Sequence, residues 1–298
     1  MPRSHAYLGR RVQTSAHEWA IEHVRVISDA EFEHAQQVHV ELRSFIQGDL
    51  LPYVEFATTQ YSATMEYVRS KDDPQFVAPS DAFALKCGLL TFLSALVMHK
   101  EQTRMKMIHR ARNDPARARA ASLDSNYYDQ SFSYRFCVRL RNFILHRSPD
   151  VIDIDVSKGG VRPSGLIVPR TDVLVSAKRD VLLDKDEHGD VWSVVRREIE
   201  SMDEKIDLTP LVLEAANVAR QYAARARLLL YPAISRSISD LRGWRAELGD
   251  LSRALPVMVR MPDVDQFVSH EESRVNVLTL RFDLAERARS LLLEARQA

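Results

Sequence analysis

The chain has 298 residues, 45% of them apolar, and its 41 basic and 41 acidic side chains cancel to a formal charge of zero. That length and apolar content suit one large or two modest domains with a sizeable core, and a 28% charged fraction shows no compositional sign of wholesale disorder. Only 9 glycines occur, less than half the roughly 7% usual in soluble proteins, which argues against turn-rich sandwiches and propellers. No G-x-x-x-x-G-K-[ST] and no G-x-G-x-x-G string is present, so two large nucleotide-binding classes lack their signature.

Residues 1–23 are polar and uncapped and read as an N-terminal arm. The opening MPRSHAYLGRRVQTSAHEW has no apolar signal-peptide core. From Asp29, Phe32, Ala35, Val38, Leu42 and Phe45 recur at three and four, predicting a helix capped by Ser28 or Asp29 and ending at Gly48. A shorter helix is expected over Phe56–Val68. A long one follows from Ser80 to about Asn113, with a stripe of Phe83, Cys87, Leu90, Ser94 and Val97 widened by Leu89, Leu93 and Leu96. Its apolar run, Leu89–Met98, is broken by Thr91 and Ser94 and falls short of the ~20 residues of a membrane span. The expectation is a cytoplasmic protein with no membrane contact. The next helix is placed from Ser125 to His146 or Arg147, with Phe132, Phe136, Leu140 and Phe143 on one face and Pro149 as its stop.

The pattern then changes period. Val151 to Val156 alternates as a half-buried strand, Lys158-Gly159-Gly160 is turn chemistry, and 166–168 and 173–175 supply more strand, so a hairpin or three-stranded meander is expected. A polar loop spans Asp184 to Asp190 and a short helix Val191 to Met202. Thr209-Pro210 starts a helix reaching Tyr231-Pro232; 233–250 form another, followed by a strand at 257–259, a turn at Pro262 and a last helix over 281–296. The resulting fold class is mainly α. It divides into an arm (1–23), a helical bundle (24–150), a small antiparallel β-rich insert (151–207), helices completing the bundle (208–250) and a C-terminal strand and helix extension (251–298).

Charge is segregated. Asp29 to Asp81 carries ten acids and three bases, and Asp180 to Asp207 ten acids and four bases. Between them, Thr103 to Arg119 has six bases (Arg104, Lys106, Arg110, Arg112, Arg117, Arg119) against Asp114, and Asn126 to Pro149 has Arg135, Arg139, Arg141 and Arg147 against Asp129. Two basic elements flanked by acidic ones predict either a positive surface able to contact phosphates or pairing within the monomer.

Several chemical motifs fail. Asp184-x-Asp186-x-His188-Gly189 starts like a calcium loop, but position twelve would be Val195. His17-Glu18 opens a zincin-like string with Ile21 where the second histidine belongs. His34 and His39 are five apart and do not share a helix face, so they make no metal pair. Cys87 and Cys137 sit in apolar helical patterns and read as reduced core thiols, too few for a disulfide framework or zinc cluster. No cofactor or metal is expected.

One string survives: Arg141-Asn142-Phe143-Ile144-Leu145-His146. Cleaving a phosphodiester with its own 2′-hydroxyl needs a proton taken, a proton given and a charged phosphorane stabilised. Histidine exchanges protons near neutral pH, and arginine offers a fork to phosphate oxygens, both without a metal. Five residues turn an ideal helix by ~500°, leaving Arg141 and His146 about 140° apart, whereas Asn142 and His146 share a face. A two-fold dimer could place both copies around one cleft.

The stretch SYRFCVRLRNFILHR, with its R-N-x-x-x-H string, resembles the HEPN superfamily, helical bundles with an R-x4-6-H motif that often has Asn after the Arg. The upstream Leu89–Leu96 run with its polar helix end adds to the resemblance, which covers Ser28 to Pro149. It implies a HEPN-like bundle and a metal-independent endoribonuclease of the toxin or phage-defence kind, active as a homodimer, with Arg141, Asn142 and His146 as catalytic residues. RNA is the implied partner, with Arg104, Lys106, Arg110, Arg112, Arg135, Arg139 and Arg147 as backbone contacts and a regulatory protein as a further partner. The alternative is a catalytically inactive helical interaction or scaffold protein that dimerises or docks a partner.

Overall fold

The structure is a computed structural model, and it describes residues 5–15, 18–71, 73–110, 114–147, 149–161, 167–184, 192–252, 254–261 and 276–297. Among these residues the protein is mainly helical with two small antiparallel sheets, and it divides into two compact units. The first is formed by 1–48 and 227–297, the second by 49–226.

In the first unit, β1 (His5–Gln13), β2 (Trp19–Ile27), β6 (Ala254–Met261) and β7 (Asn276–Thr279) form an antiparallel sheet in the order β2-β1-β6-β7. Residues 5–13 and 19–23, expected in an arm, are therefore sheet strands. Among hydrophobic side chains, β1 and β2 place only Ala6, Leu8 and Ile27 into the core, too few for a clear alternation in the sequence. The C-terminal strands belong to the same sheet, with Leu8 opposite Met258, so 254–261 and 276–279, expected in a separate extension, pack with the N-terminal strands. A bulge falls between Leu8 and Gly9, where a Cβ on Gly9 would lie 2.7 Å from the Glu22 carbonyl oxygen; this position requires glycine.

Helix α1 (Asp29–Gln47) begins as its sequence predicts: the Ser28 hydroxyl accepts the Glu31 N–H at 3.1 Å, and Phe32, Ala35, Val38, Leu42 and Phe45 are buried. Two further helices bury faces in the same core, the C-terminal part of α8 (Leu208–Leu248) through Ile234, Ile238, Leu241 and Trp244, and α9 (Phe282–Gln297) through Leu284, Ala285, Ala288 and Leu292. His39 is also buried. Its Nδ1 donates to the Ala35 carbonyl at 2.7 Å, and its Nε2 accepts the Arg281 N–H at 2.9 Å.

The second unit contains α2 (Leu51–Arg69), α3 (Pro79–Arg110), α4 (Asp114–Gln130), α5 (Phe132–His146), the sheet β3 (Ile152–Val161), β4 (Ile167–Lys178) and β5 (Lys205–Asp207), the short helices α6 (Arg179–Leu183) and α7 (Arg196–Glu200), and the first part of α8. Helix α2 starts at Leu51, earlier than its pattern suggests, because Pro52 occupies a first-turn position that needs no N–H. The single helix expected from Ser125 is two. Ser131 breaks it and caps α5, its hydroxyl accepting the Tyr134 N–H at 3.2 Å. The predicted β insert is a three-stranded sheet in the order β3-β4-β5 whose Val173, Val175 and Ala177 point into the core. Asp207, two residues ahead of the expected cap, receives the Thr209 N–H at 2.9 Å at the start of α8.

Helix α8 runs unbroken through Pro232, where a helix end was expected. The missing N–H leaves the Leu228 carbonyl without its helical donor. Residues on either side are buried in hydrophobic clusters, Ala219, Tyr222 and Ala226 before it and Ile234 and Ile238 after it.

Helix α3 also departs from expectation. Over 79–109 it is long and apolar enough to cross a membrane, with a mean hydropathy of 1.6 in its most apolar window. Thr91 and Ser94 interrupt the run without lowering that mean enough. Leu85, Leu89, Phe92, Leu93 and Leu96 are spent on the core of the second unit.

Candidate functional site

Helix α5 is held on three sides. Phe136 and Phe143 stack against buried Trp192 with ring centroids 5.3 and 5.8 Å apart, the Cys137 thiol points at the Leu211 carbonyl at 3.8 Å, and the Ser133 hydroxyl donates to Glu214 at 2.6 Å. Burial pushes the Cys137 thiol well above its ordinary range, so this cysteine is inert.

The three nominated catalytic residues lie at the end of this fixed helix. Arg141 is half-buried: one guanidinium nitrogen donates to the Asn142 side-chain oxygen at 3.1 Å, while its Nε is enclosed without a hydrogen-bond partner. Asn142 is half-buried and His146, the last residue of α5, is exposed. The helix stays intact up to His146, with Arg147 donating its N–H to the Phe143 carbonyl at 2.9 Å. No unwinding brings Arg141 and His146 onto one face within a chain, so their separation of about 140° stands.

The nominated phosphate contacts divide. Arg135 is buried, and its guanidinium donates to the Asp129 and Tyr128 carbonyls and to Glu198 at 2.8 Å. It is a structural tie, and its burial leaves it little surface for the RNA contact expected of it. Arg139 donates Nε to the Tyr128 phenol at 2.9 Å, and Arg147 reaches the Asp184 carbonyl at 3.2 Å while lying over the Phe143 ring. Arg104 is half-exposed with Nε 3.8 Å from Asp124, and Lys106 is partly buried on α3. The side chain of Arg110 and the whole of Arg112 lie outside the described residues, as do the Asp186-x-His188 loop and His17.

Beside α5 the structure assembles a polar cluster that the sequence reading missed. Asp124 on α4 accepts the Tyr222 hydroxyl of α8 at 3.1 Å and faces Lys100 of α3 at 3.6 Å. His99 meets Tyr222 edge-on at 6.0 Å, and the buried Tyr134 hydroxyl of α5 has no hydrogen-bond partner. Burial first, then the Asp124 charge, hold both phenols far above their usual range, so both stay protonated. The local signal was the His99-Lys100-Glu101 step closing the apolar run of α3. Among the described residues, no three His, Cys, Asp or Glu side chains converge as metal ligands. Comparison with family models, with curated proteins and with solved structures finds no match.

Proposed function

We propose that the chain is a HEPN-type, metal-independent endoribonuclease of the toxin or phage-defence kind that works as a homodimer. The observation that carries this reading is the end of α5: His146 exposed in the last turn, Asn142 one turn earlier on the same face, and Arg141 bonded to Asn142, all on a helix locked into its core. His146 takes the proton from the attacking 2′-hydroxyl, and its symmetry mate donates one to the leaving oxygen. Arg141 turns from Asn142 to the developing phosphorane charge. Because the pair diverges on one helix, the cleft needs two copies. Helix α3 leaves Phe83, Met98 and Met105 exposed, apolar surface of the kind a second copy covers.

The test is cleavage of single-stranded RNA by the purified chain in EDTA. His146→Ala is expected to slow cleavage by about 10²–10⁴ with an unchanged circular dichroism spectrum. Undiminished cleavage by that variant removes His146 from the mechanism. One observation favours the second reading, an inactive interaction protein: Arg135, Arg139 and Arg147 all engage groups of their own chain. Salt-sensitive dimerisation without RNA cleavage would establish it.

A further inference from the structure

We propose that the groove between α8 and α9 in the first unit binds a nucleoside phosphate, with phosphates on Arg242 and Arg289 and the base at Tyr231 and Arg296. The groove lies in residues 231–296, outside the stretch that resembles HEPN proteins, and encloses about 630 Å³, within the range of small-molecule sites. Its walls are two helix faces. Tyr231, Ser235, Ser239 and Arg242 follow at i, i+4, i+8 and i+11 on α8, opposite Arg289, Leu293 and Arg296 at i, i+4 and i+7 on α9. The helices run antiparallel here, since Arg296 meets Tyr231 at one end and Glu286 meets Arg242 at the other.

The described residues that line the groove include three arginines and no carboxylate, Glu286 standing just behind two of them. At one end Arg242 and Arg289 share a single partner, Glu286, at 3.5 and 3.9 Å, and both are about half-exposed. Exposed pairs of that length hold a guanidinium weakly. Two forks facing one carboxylate leave donors for a phosphate, which accepts bidentate bonds from each. At the other end Arg296 lies over the Tyr231 ring, 5.4 Å from its centroid, and among the described residues no carboxylate pairs with it. A half-exposed ring and a planar guanidinium are what a base stacks against.

The length fits as well. Eleven helical steps lead from Tyr231 to Arg242, about 16 Å at 1.5 Å per residue, the span of a base, a sugar and a phosphate chain laid end to end. Ser235 and Ser239 place hydroxyls midway, where the sugar would lie, and Leu293 offers apolar area beside them. A fatty-acid anion would need a deep apolar channel, but Ile238 and Leu292 are already buried beneath the groove.

The experiment is calorimetric titration of the full chain with magnesium-free ATP, tripolyphosphate and adenosine. ATP is expected to bind. Arg242→Gln and Arg289→Gln should each weaken it roughly 10–100-fold, the loss typical of a charge-assisted hydrogen bond. Tyr231→Ala should weaken ATP about tenfold and leave tripolyphosphate unchanged. Arg236→Ala, an exposed arginine of α8 outside the groove, should change nothing. Thermal melts matching the parent keep the comparison within folded protein. Two results overturn the proposal: no ATP binding at millimolar concentration, or ATP and tripolyphosphate binding equally with no effect of Tyr231→Ala.

Discussion

Removing the Asp124 carboxylate should destabilise the second unit, and the structure fixes the size of the effect. Asp124 is the acceptor for the hydroxyl of Tyr222, a residue with no exposed surface, and it faces Lys100, whose side chain is 11% exposed. In Asp124→Ala the Tyr222 hydroxyl is left buried and unpaired, which costs about 1–3 kcal/mol. Stranding a buried charge usually costs about 3–5 kcal/mol, but Lys100 keeps Glu101 at 3.4 Å and the Tyr128 ring at 5.4 Å, so its share is smaller. The sum is about 3 kcal/mol, or roughly 6–12 °C in Tm for a unit of this size. Asp124→Asn keeps an oxygen for Tyr222 and should lose about half as much. The assay is a double-mutant cycle with Lys100→Met, read from urea midpoints. If the charges are coupled, the double variant is more stable than the two single losses predict, by about 1–2 kcal/mol. Additivity within about 0.5 kcal/mol would refute the coupling and make Asp124 a hydrogen-bond acceptor alone.

Burial lowers the His39 pKa below its ordinary 6.5, outweighing the Ala35 hydrogen bond that raises it. The unfolded chain then binds a proton that the folded chain resists. This contribution is fully present above pH 6.5 and is lost as pH falls below it, so His39→Gln should flatten the fall in urea midpoint between pH 7 and 5; an unchanged slope would refute this. At the interior proline of α8, Pro232→Ala returns an N–H to the Leu228 carbonyl. It should stabilise the chain by about 1–3 kcal/mol, and a lower urea midpoint would contradict that account.

What could be read from the sequence was local. The Ser28 cap and apolar stripe of α1 lie within twenty residues, and they appear in the structure as predicted. The same holds for the stripe of α5 and for the placement of Arg141, Asn142 and His146 on one helix. The first-unit sheet was illegible because its central pair joins residues 5–12 to 254–261, and neither strand alternates strongly enough to announce a distant partner. The break at Ser131 has a local signal, since a serine ahead of an apolar-periodic run is a cap. Burial of Arg135 could not be foreseen, because its carboxylate partner, Glu198, lies 63 residues away on α7.

That last contact changes the meaning of the cancelled charge. Arg135 belongs to the basic centre and Glu198 to the acidic segment that follows, so their pairing spends one of the cations counted toward a phosphate-binding surface. Asp124 holds Lys100 and draws Arg104, and Arg139 is bound to a phenol. Each ion pair of this kind takes one described cation away from long-range attraction of a polyanion, and each phosphate contact so lost removes both affinity and salt dependence. On the proposed reading, cleavage would depend on geometry at one point, with the exposed His146 of the α5 end facing its counterpart in a second copy. The weight of the ribonuclease reading therefore rests on His146 and on self-association, and much less on the number of arginines around them.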